Sequence, residues 1–263
     1  MYYPIGRGNL YRVTLENTIW PDPVRGVGAF YLPQGGNRYN AVHQVTVSCS
    51  EDPWVAISEA AFYQALKLRE AIASSLVNAV TYPFRSRHTF WGFQINPLPP
   101  VIDLENPIAA ALFQYSPHVL TNPSQNYRAT QQVANAVRAH TPPMGSADPL
   151  PEGILAPSVR TPKVGAYQPK QLALFVINRP GVVPYDQRSN LTAKMLLEIE
   201  FFAAAPVGGP VNFQRLAINW TKPRFRLSTI AGEPSLAPVP ALAGRPGAVA
   251  IPLNAWRVLN ICY

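Results

Sequence analysis

The sequence has little charge and almost no cysteine. Charged residues make up 14% of its 263 positions, against a usual share of about 25%. Apolar residues make up 48%, which excludes a chain kept unfolded by charge and low hydrophobicity. Two cysteines, Cys49 and Cys262, exclude a disulfide scaffold and a zinc site built of thiolates. A single bridge between them is left open. Long apolar runs are missing too, because proline or charge cuts each one short, so no segment is expected to span a bilayer. The N-terminal MYYPIGRGNLYR lacks the apolar stretch of a secretory signal. The expectation is a cytoplasmic protein, or one delivered into a target cell without a cleavable signal. His43, His88, His118 and His140 show no HxH or HxxxH spacing, so no metal site is expected. GxSxG, P-loop and GxGxxG motifs are absent. Asp103 and Glu105 read as a strand-end cap and a solvated charge rather than an acid–base pair.

Proline is in excess, with 29 residues where average usage would give about 13. That content excludes a helical bundle and predicts turns and extended connections. The net charge of +8 permits binding to nucleic acid, phosphates or an acidic partner. Its carriers are scattered, and the densest cluster is Lys222, Arg224 and Arg226 in KPRFR.

Along the chain, strands are predicted at Leu10–Leu15 and Val42–Cys49. Asp52 followed by Pro53 is a helix start, with Asp as N-cap and Pro at the first helical position. Ile57, Ala61, Ala65, Leu68 and Ile72 then recur at helical spacing to about Ser74, and Glu59 falls at the border of that stripe. Further strands are predicted near Leu76–Tyr82, Phe90–Ile95, Val101–Leu104, Gln171–Asn178 and Leu196–Ala203. A second helix is predicted from Asn122–Pro123 to His140. From about Pro206 the composition turns to Pro, Ala, Gly and Val. Residues 1–205 therefore read as the main domain. Residues 206–263 read as a proline-rich extension docked on it through Ile230, Leu236, Trp256 and Leu259. The class is mixed α+β, short strands with a few helices.

One ordered set of motifs stands out. A double-glycine turn, Gly35-Gly36-Asn37-Arg38-Tyr39-Asn40, delivers an Arg and a Tyr side by side. Glu59 follows in Ala56-Ile57-Ser58-Glu59. Gly153-Ile154-Leu155-Ala156-Pro157-Ser158-Val159-Arg160 then precedes the buried strand at Gln171. With Tyr11-Arg12 and Val101–Leu104, this order resembles the RES domain, named for its Arg, Glu and Ser, over residues 10–180. One departure is the strand before the Glu helix. The family often has a tyrosine there, and this chain has Thr46-Val47-Ser48, so the stacking partner is either missing or supplied from elsewhere, for example by Tyr31 or Trp54.

The resemblance implies an ADP-ribosyltransferase-like fold and chemistry on NAD+ as substrate. It implies a toxin that cleaves the nicotinamide–ribose bond by hydrolysis or phosphorolysis. A mono-ADP-ribosyltransferase acting on a protein is the sibling alternative. Arg38, Glu59 and Ser158 would be catalytic, and Arg12, Tyr39 and Asn40 would bind the dinucleotide, with no metal needed. A toxin implies an acidic antitoxin or immunity protein as partner, which the positive charge would suit. A non-catalytic nucleic-acid-binding module, resting on KPRFR alone, is the remaining and unfavoured alternative.

Overall fold

The structure, a computed structural model, describes residues 2–3, 9–25, 38–41, 44–73, 84–122, 127–176, 182–204, 217–236, 251 and 253–262. In chain order the elements are β1 (Tyr2–Tyr3), β2 (Leu10–Leu15), α1 (Asp22–Arg25), β3 (Thr46–Cys49), α2 (Pro53–Ala73), β4 (Phe84–Ile95) and β5 (Val101–Asp103). They continue with α3 (Pro107–Leu112), α4 (Arg128–Ala139), β6 (Gly153–Pro157), β7 (Lys170–Phe175) and β8 (Ser189–Phe201). The last are β9 (Ala203–Ala204), β10 (Ala217–Ile218), β11 (Arg224–Thr229) and β12 (Arg257–Val258). The fold is α+β. One five-stranded sheet runs β1-β5-β6-β7-β3, a second runs β12-β11-β8-β4-β2, and β9 and β10 pair with each other as a two-stranded sheet. Within these sheets β5 and β6 pair in parallel and the other neighbours pair antiparallel.

Strand alternation sorts the side chains into layers. In β7, Leu172 and Leu174 face the second sheet, packing with Trp91, Phe93 and Ile95 of β4. Ala173 and Phe175 face the other way, onto Val133, Ala134 and Val137 of α4. On the far side of the second sheet, Phe90, Met195, Leu197, Ile199 and Phe225 pack against α2. The layers are therefore α4, first sheet, second sheet and α2. The predicted stripe of α2 is the buried one, since Ile57, Ala61, Ala65 and Leu68 are all inside.

Several predicted boundaries move. The first-sheet strand β3 begins at Thr46, and Val42 and His43 lie outside the described residues. The helix expected from Asn122–Pro123 begins at Arg128, with Tyr127 in the N-cap position. Leu76–Tyr82 lies outside the described residues. The strands near Phe90 and Leu196 are each longer than periodicity suggests, because β4 and β8 pair with each other over nearly their whole length. Residues beyond 206 supply β11, which pairs with β8 along Arg224–Thr229. Their cross-strand pairing explains KPRFR. Arg224 contacts Glu200, Arg226 contacts Glu198, and Phe225 is fully buried in the core. The two arginines are thus paired with carboxylates on the sheet, Arg224 sharing Glu200 with Arg85. No described helix is long and apolar enough to cross a membrane.

Gly153 has a packing reason for its identity. A Cβ there would lie 2.8 Å from the Ala173 carbonyl oxygen and 3.1 Å from Leu174 Cα, both backbone atoms of the neighbouring strand. Gly153→Ala should therefore force β6 and β7 apart and destabilise the fold by roughly 1–3 kcal/mol. The check is chemical denaturation of the variant beside the parent; an unchanged midpoint would show that the strand pair yields freely.

Candidate active site

The two sheets are stitched at one corner. Tyr11 N–H donates to the Ser50 carbonyl at 2.7 Å and Ser50 N–H returns to Tyr11 at 3.0 Å. Beyond that corner Asp52 caps α2 as its sequence predicts, its Oδ1 accepting from Trp54 N–H at 2.8 Å. Tyr167 donates to its other oxygen at 2.9 Å. Capping at this position fixes the phase of the helix, and Glu59 comes round to face a cleft of about 170 Å³ at the corner.

Arg12, Arg38, Tyr39 and Glu59, four of the six residues singled out from sequence, line that cleft. Ser158, a fifth, donates from its hydroxyl to Glu59 Oε1 at 3.2 Å. The Ser158 oxygen also accepts from the backbone N–H groups of Arg160 and Thr161, each at 3.3 Å. The serine thus closes its own turn and holds the carboxylate. Asn40 is placed elsewhere. It is buried, its amide donates to the Gln44 carbonyl at 3.0 Å, and it is not among the described residues lining the cleft. Its place is in a latch that carries Arg38 and Tyr39. Arg138 on α4 donates to the Tyr39 carbonyl and to Thr46 Oγ1, both at 2.9 Å, and stacks on Phe175. Burial pulls the Arg138 pKa down to about 10.

Arg160 and two tyrosines complete the site. Arg160 is 3% exposed, lies over the Phe62 ring at 3.4 Å and reaches the Tyr127 hydroxyl at 3.5 Å. Arg160 ends the Gly153–Arg160 motif but was not among the six residues singled out from sequence. Tyr63 and Tyr127 also line the cleft. Tyr63 was legible in principle, because it lies one helical turn beyond Glu59 and shares its face. These tyrosines, with Tyr11 and Tyr39, supply the aromatic surface. Trp54 does not: it packs edge-on against Phe225, at 5.1 Å between centroids. Tyr31 lies outside the described residues. Thr46 and Ser48 line the cleft in the stretch where a tyrosine was expected.

The electrostatics are lopsided. Among the described residues the cleft has three arginines and a single carboxylate. Arg12 donates one nitrogen to the Pro23 carbonyl at 2.8 Å, and burial lowers its pKa. Burial raises the pKa of Glu59 above the usual carboxylate range, while Arg160, the Ser158 hydrogen bond and Arg38 pull it back. The Tyr39 phenol is pushed up to about 12, by burial first and by Glu59 second, against the pull of Arg38. Its hydroxyl has no hydrogen-bond partner among the described residues. No group of three or more metal-ligating side chains occurs among the described residues.

An arginine–glutamate–serine constellation thus stands at the seam of two sheets in an α+β frame, with one carboxylate among three arginines. The RES domain family model matches residues 9–193, and the chain belongs to that family, which is generally associated with NAD+-related toxin function. None of the curated proteins compared with it matches.

The raised pKa of Glu59 carries a stability consequence. The folded state holds this proton more tightly than the unfolded state, so ionising Glu59 weakens the fold as pH rises through its titration. Glu59→Gln removes that penalty. The variant should melt above the parent at pH 7, and the gap should close below about pH 4, where the parent carboxyl is protonated in both states. Thermal melts across pH 3–8 check this; a gap that does not change with pH would contradict it.

Proposed function

We propose that the chain cleaves the glycosidic bond between nicotinamide and ribose in NAD+, releasing nicotinamide. The observation that carries this reading is the Glu59 carboxylate, held by Ser158 and set among Arg12, Arg38 and Arg160 in one cleft. The substrate brings a pyrophosphate, which suits a cation-rich lining; guanidinium groups match phosphate oxygens bidentately. At the reacting end the charge runs the other way. As the C1′–N bond breaks, its electron pair leaves with neutral nicotinamide and positive charge builds on the ribose. A fixed carboxylate in a water-poor site stabilises that charge where it develops.

Each residue then has a task. Glu59 accepts hydrogen bonds from the ribose hydroxyls and faces the oxocarbenium-like centre. Ser158 keeps the carboxylate aimed. The raised pKa of Glu59 also suits it to take the proton from an attacking water or phosphate, since a base works best near the operating pH. Arg12, which spends one donor on the Pro23 carbonyl, is the phosphate anchor. Tyr39 offers a ring to the nicotinamide or ribose and an unused hydroxyl. The cleft, at about 170 Å³, is below the range of about 300–1,000 Å³ for whole-ligand pockets, and so fits one end of a dinucleotide. An ADP-ribosyltransferase-like frame and an acidic antitoxin covering the cleft belong to the same reading.

Purified protein incubated with NAD+ should release nicotinamide, followed by chromatography with and without phosphate. Glu59→Gln should lower the rate by about 10²–10³-fold, the usual loss when one stabiliser of developing charge is removed. Phosphate dependence would assign phosphorolysis over hydrolysis. No release by the folded parent would overturn the reading, and an ADP-ribose adduct on a protein, found by mass spectrometry, would replace it with transfer.

A further inference from the structure

A second cavity, of about 480 Å³, shares no lining residue with the cleft. The two nevertheless share structural elements. The first turns of α2 give Val55 and Glu59 to the cleft and Trp54 and Ser58 to the cavity. The turn after β6 gives Val159 and Arg160 to the cleft and Thr161 and Pro162 to the cavity. Val258, Leu259 and Asn260 form a further wall. They lie beyond residue 193, where the family match ends.

The lining sets the chemistry of what fits. The volume falls in the range of about 300–1,000 Å³ usual for small-molecule sites. Trp54, Val164, Tyr167, Val258 and Leu259 make the wall largely apolar and partly aromatic. No basic side chain is among the described lining, and Asp52 is the only acid there. Lys163 and Arg257, next to it in sequence, are exposed and do not line it. Both Asp52 oxygens are already engaged, by Trp54 N–H at 2.8 Å and the Tyr167 hydroxyl at 2.9 Å. An anion would meet a carboxylate and no cation, and a cation would meet a carboxylate spent on the start of α2. A neutral ligand suits the cavity. Ser58 adds one polar point. It is fully buried, and its hydroxyl has no hydrogen-bond partner among the described residues. A serine inside a helix can return its hydroxyl to the carbonyl one turn back; this one does not, and a buried polar group left open calls for a reason.

Thr161 connects the cavity to the cleft. The Ser158 oxygen accepts from the N–H groups of Arg160 and Thr161, each at 3.3 Å, which uses both its lone pairs. Its single proton has two acceptors in reach, Glu59 Oε1 and Thr161 Oγ1, both at 3.2 Å. A group that draws on Thr161 changes that balance, because linked hydrogen bonds polarise one another.

We infer that this cavity binds a small neutral aromatic molecule and that Thr161 passes its presence to Ser158 and Glu59. The site goes beyond the reaction assigned to the cleft and does not depend on it.

Indole-3-acetamide is the probe, with tryptamine and indole-3-acetate as its cationic and anionic counterparts. Each is titrated into the isotope-labelled full chain and followed by NMR. The neutral probe should give saturable shifts at Trp54, Ser58, Thr161 and Val164 and bind at least tenfold tighter than either charged counterpart. Ser58→Ala should weaken it at least threefold. No saturable shift, shifts centred on cleft residues such as Arg12 and Tyr63, a charged counterpart that binds as tightly, or an unchanged affinity in Ser58→Ala each overturns the site. Thr161→Val keeps the side-chain shape and removes the hydroxyl. The probe should still bind this variant, and the shifts it causes at Ser158 and Glu59 in the parent should be lost; shifts that persist there overturn the coupling. A parent that binds the probe yet releases no nicotinamide keeps the site and overturns only the assigned reaction.

Discussion

The pair of backbone hydrogen bonds between Tyr11 and Ser50 is the constraint on which the site depends. It joins a strand of one sheet to the end of a strand of the other. Arg12 follows Tyr11 directly, and the Asp52 cap follows Ser50 after one residue, so the same junction sets a cation and the start of the helix that carries Glu59. Ser50 adds to this through its side chain, which donates to the Lys170 carbonyl and accepts from Asp52 N–H. Ser158 is tied to the same region by its N–H to the Pro169 carbonyl at 2.7 Å. The carboxylate and the serine that holds it are therefore fixed by main-chain bonds on either side of one seam. Rigid placement of this kind is what electrostatic stabilisation requires, because a charge that must reorganise loses much of its effect.

The arrangement stores unfavourable energy at the site. Glu59 is held where its charged form is disfavoured, Arg12 is desolvated, and Tyr39 and Arg38 each keep a buried polar atom without a partner among the described residues. Elsewhere the same residue types are satisfied. Glu200 is buried between Arg85 and Arg224, and its pKa is lowered rather than raised. Its burial works the other way, but the two guanidinium groups outweigh it. The contrast separates a structural ion pair from a poised carboxylate within one protein, and strained polar groups gathered in a cleft are a mark of function rather than of stability.

Local signals in the sequence carried far. The Asp-Pro start and apolar stripe of α2 were legible because capping and helical spacing act over a few residues. Arg38, Glu59 and Ser158 were legible as an ordered set of motifs, and the structure joins them at the cleft. What was not legible depends on contacts between distant segments. Asn40 reads as a binding residue beside Arg38 and Tyr39, yet its amide is consumed by the Gln44 carbonyl four residues on. The lengths of β4 and β8 follow from their mutual pairing, which no single-strand pattern encodes. Arg160 looks like any surface cation until α2 brings the Phe62 ring beneath it.

The residues after 193, where the family match ends, bear directly on how the site is held. Phe225, Leu227, Leu259 and Ile261 belong to the same buried cluster as Ile57, Ala61 and Phe62 of α2. One side of the helix that presents Glu59 thus rests on chain that the family pattern does not include. The last residues act on the site more closely still: Cys262 N–H donates to the Arg160 carbonyl at 2.9 Å, and Ile261 N–H donates to Thr221 at 2.9 Å. The tail threads between the second sheet and the turn that contains Ser158 and Arg160. Proline-rich composition measures turn content and not burial. Here the apolar residues spaced among the turns do the packing, and through them the extension is held against the segment that carries Ser158 and Arg160.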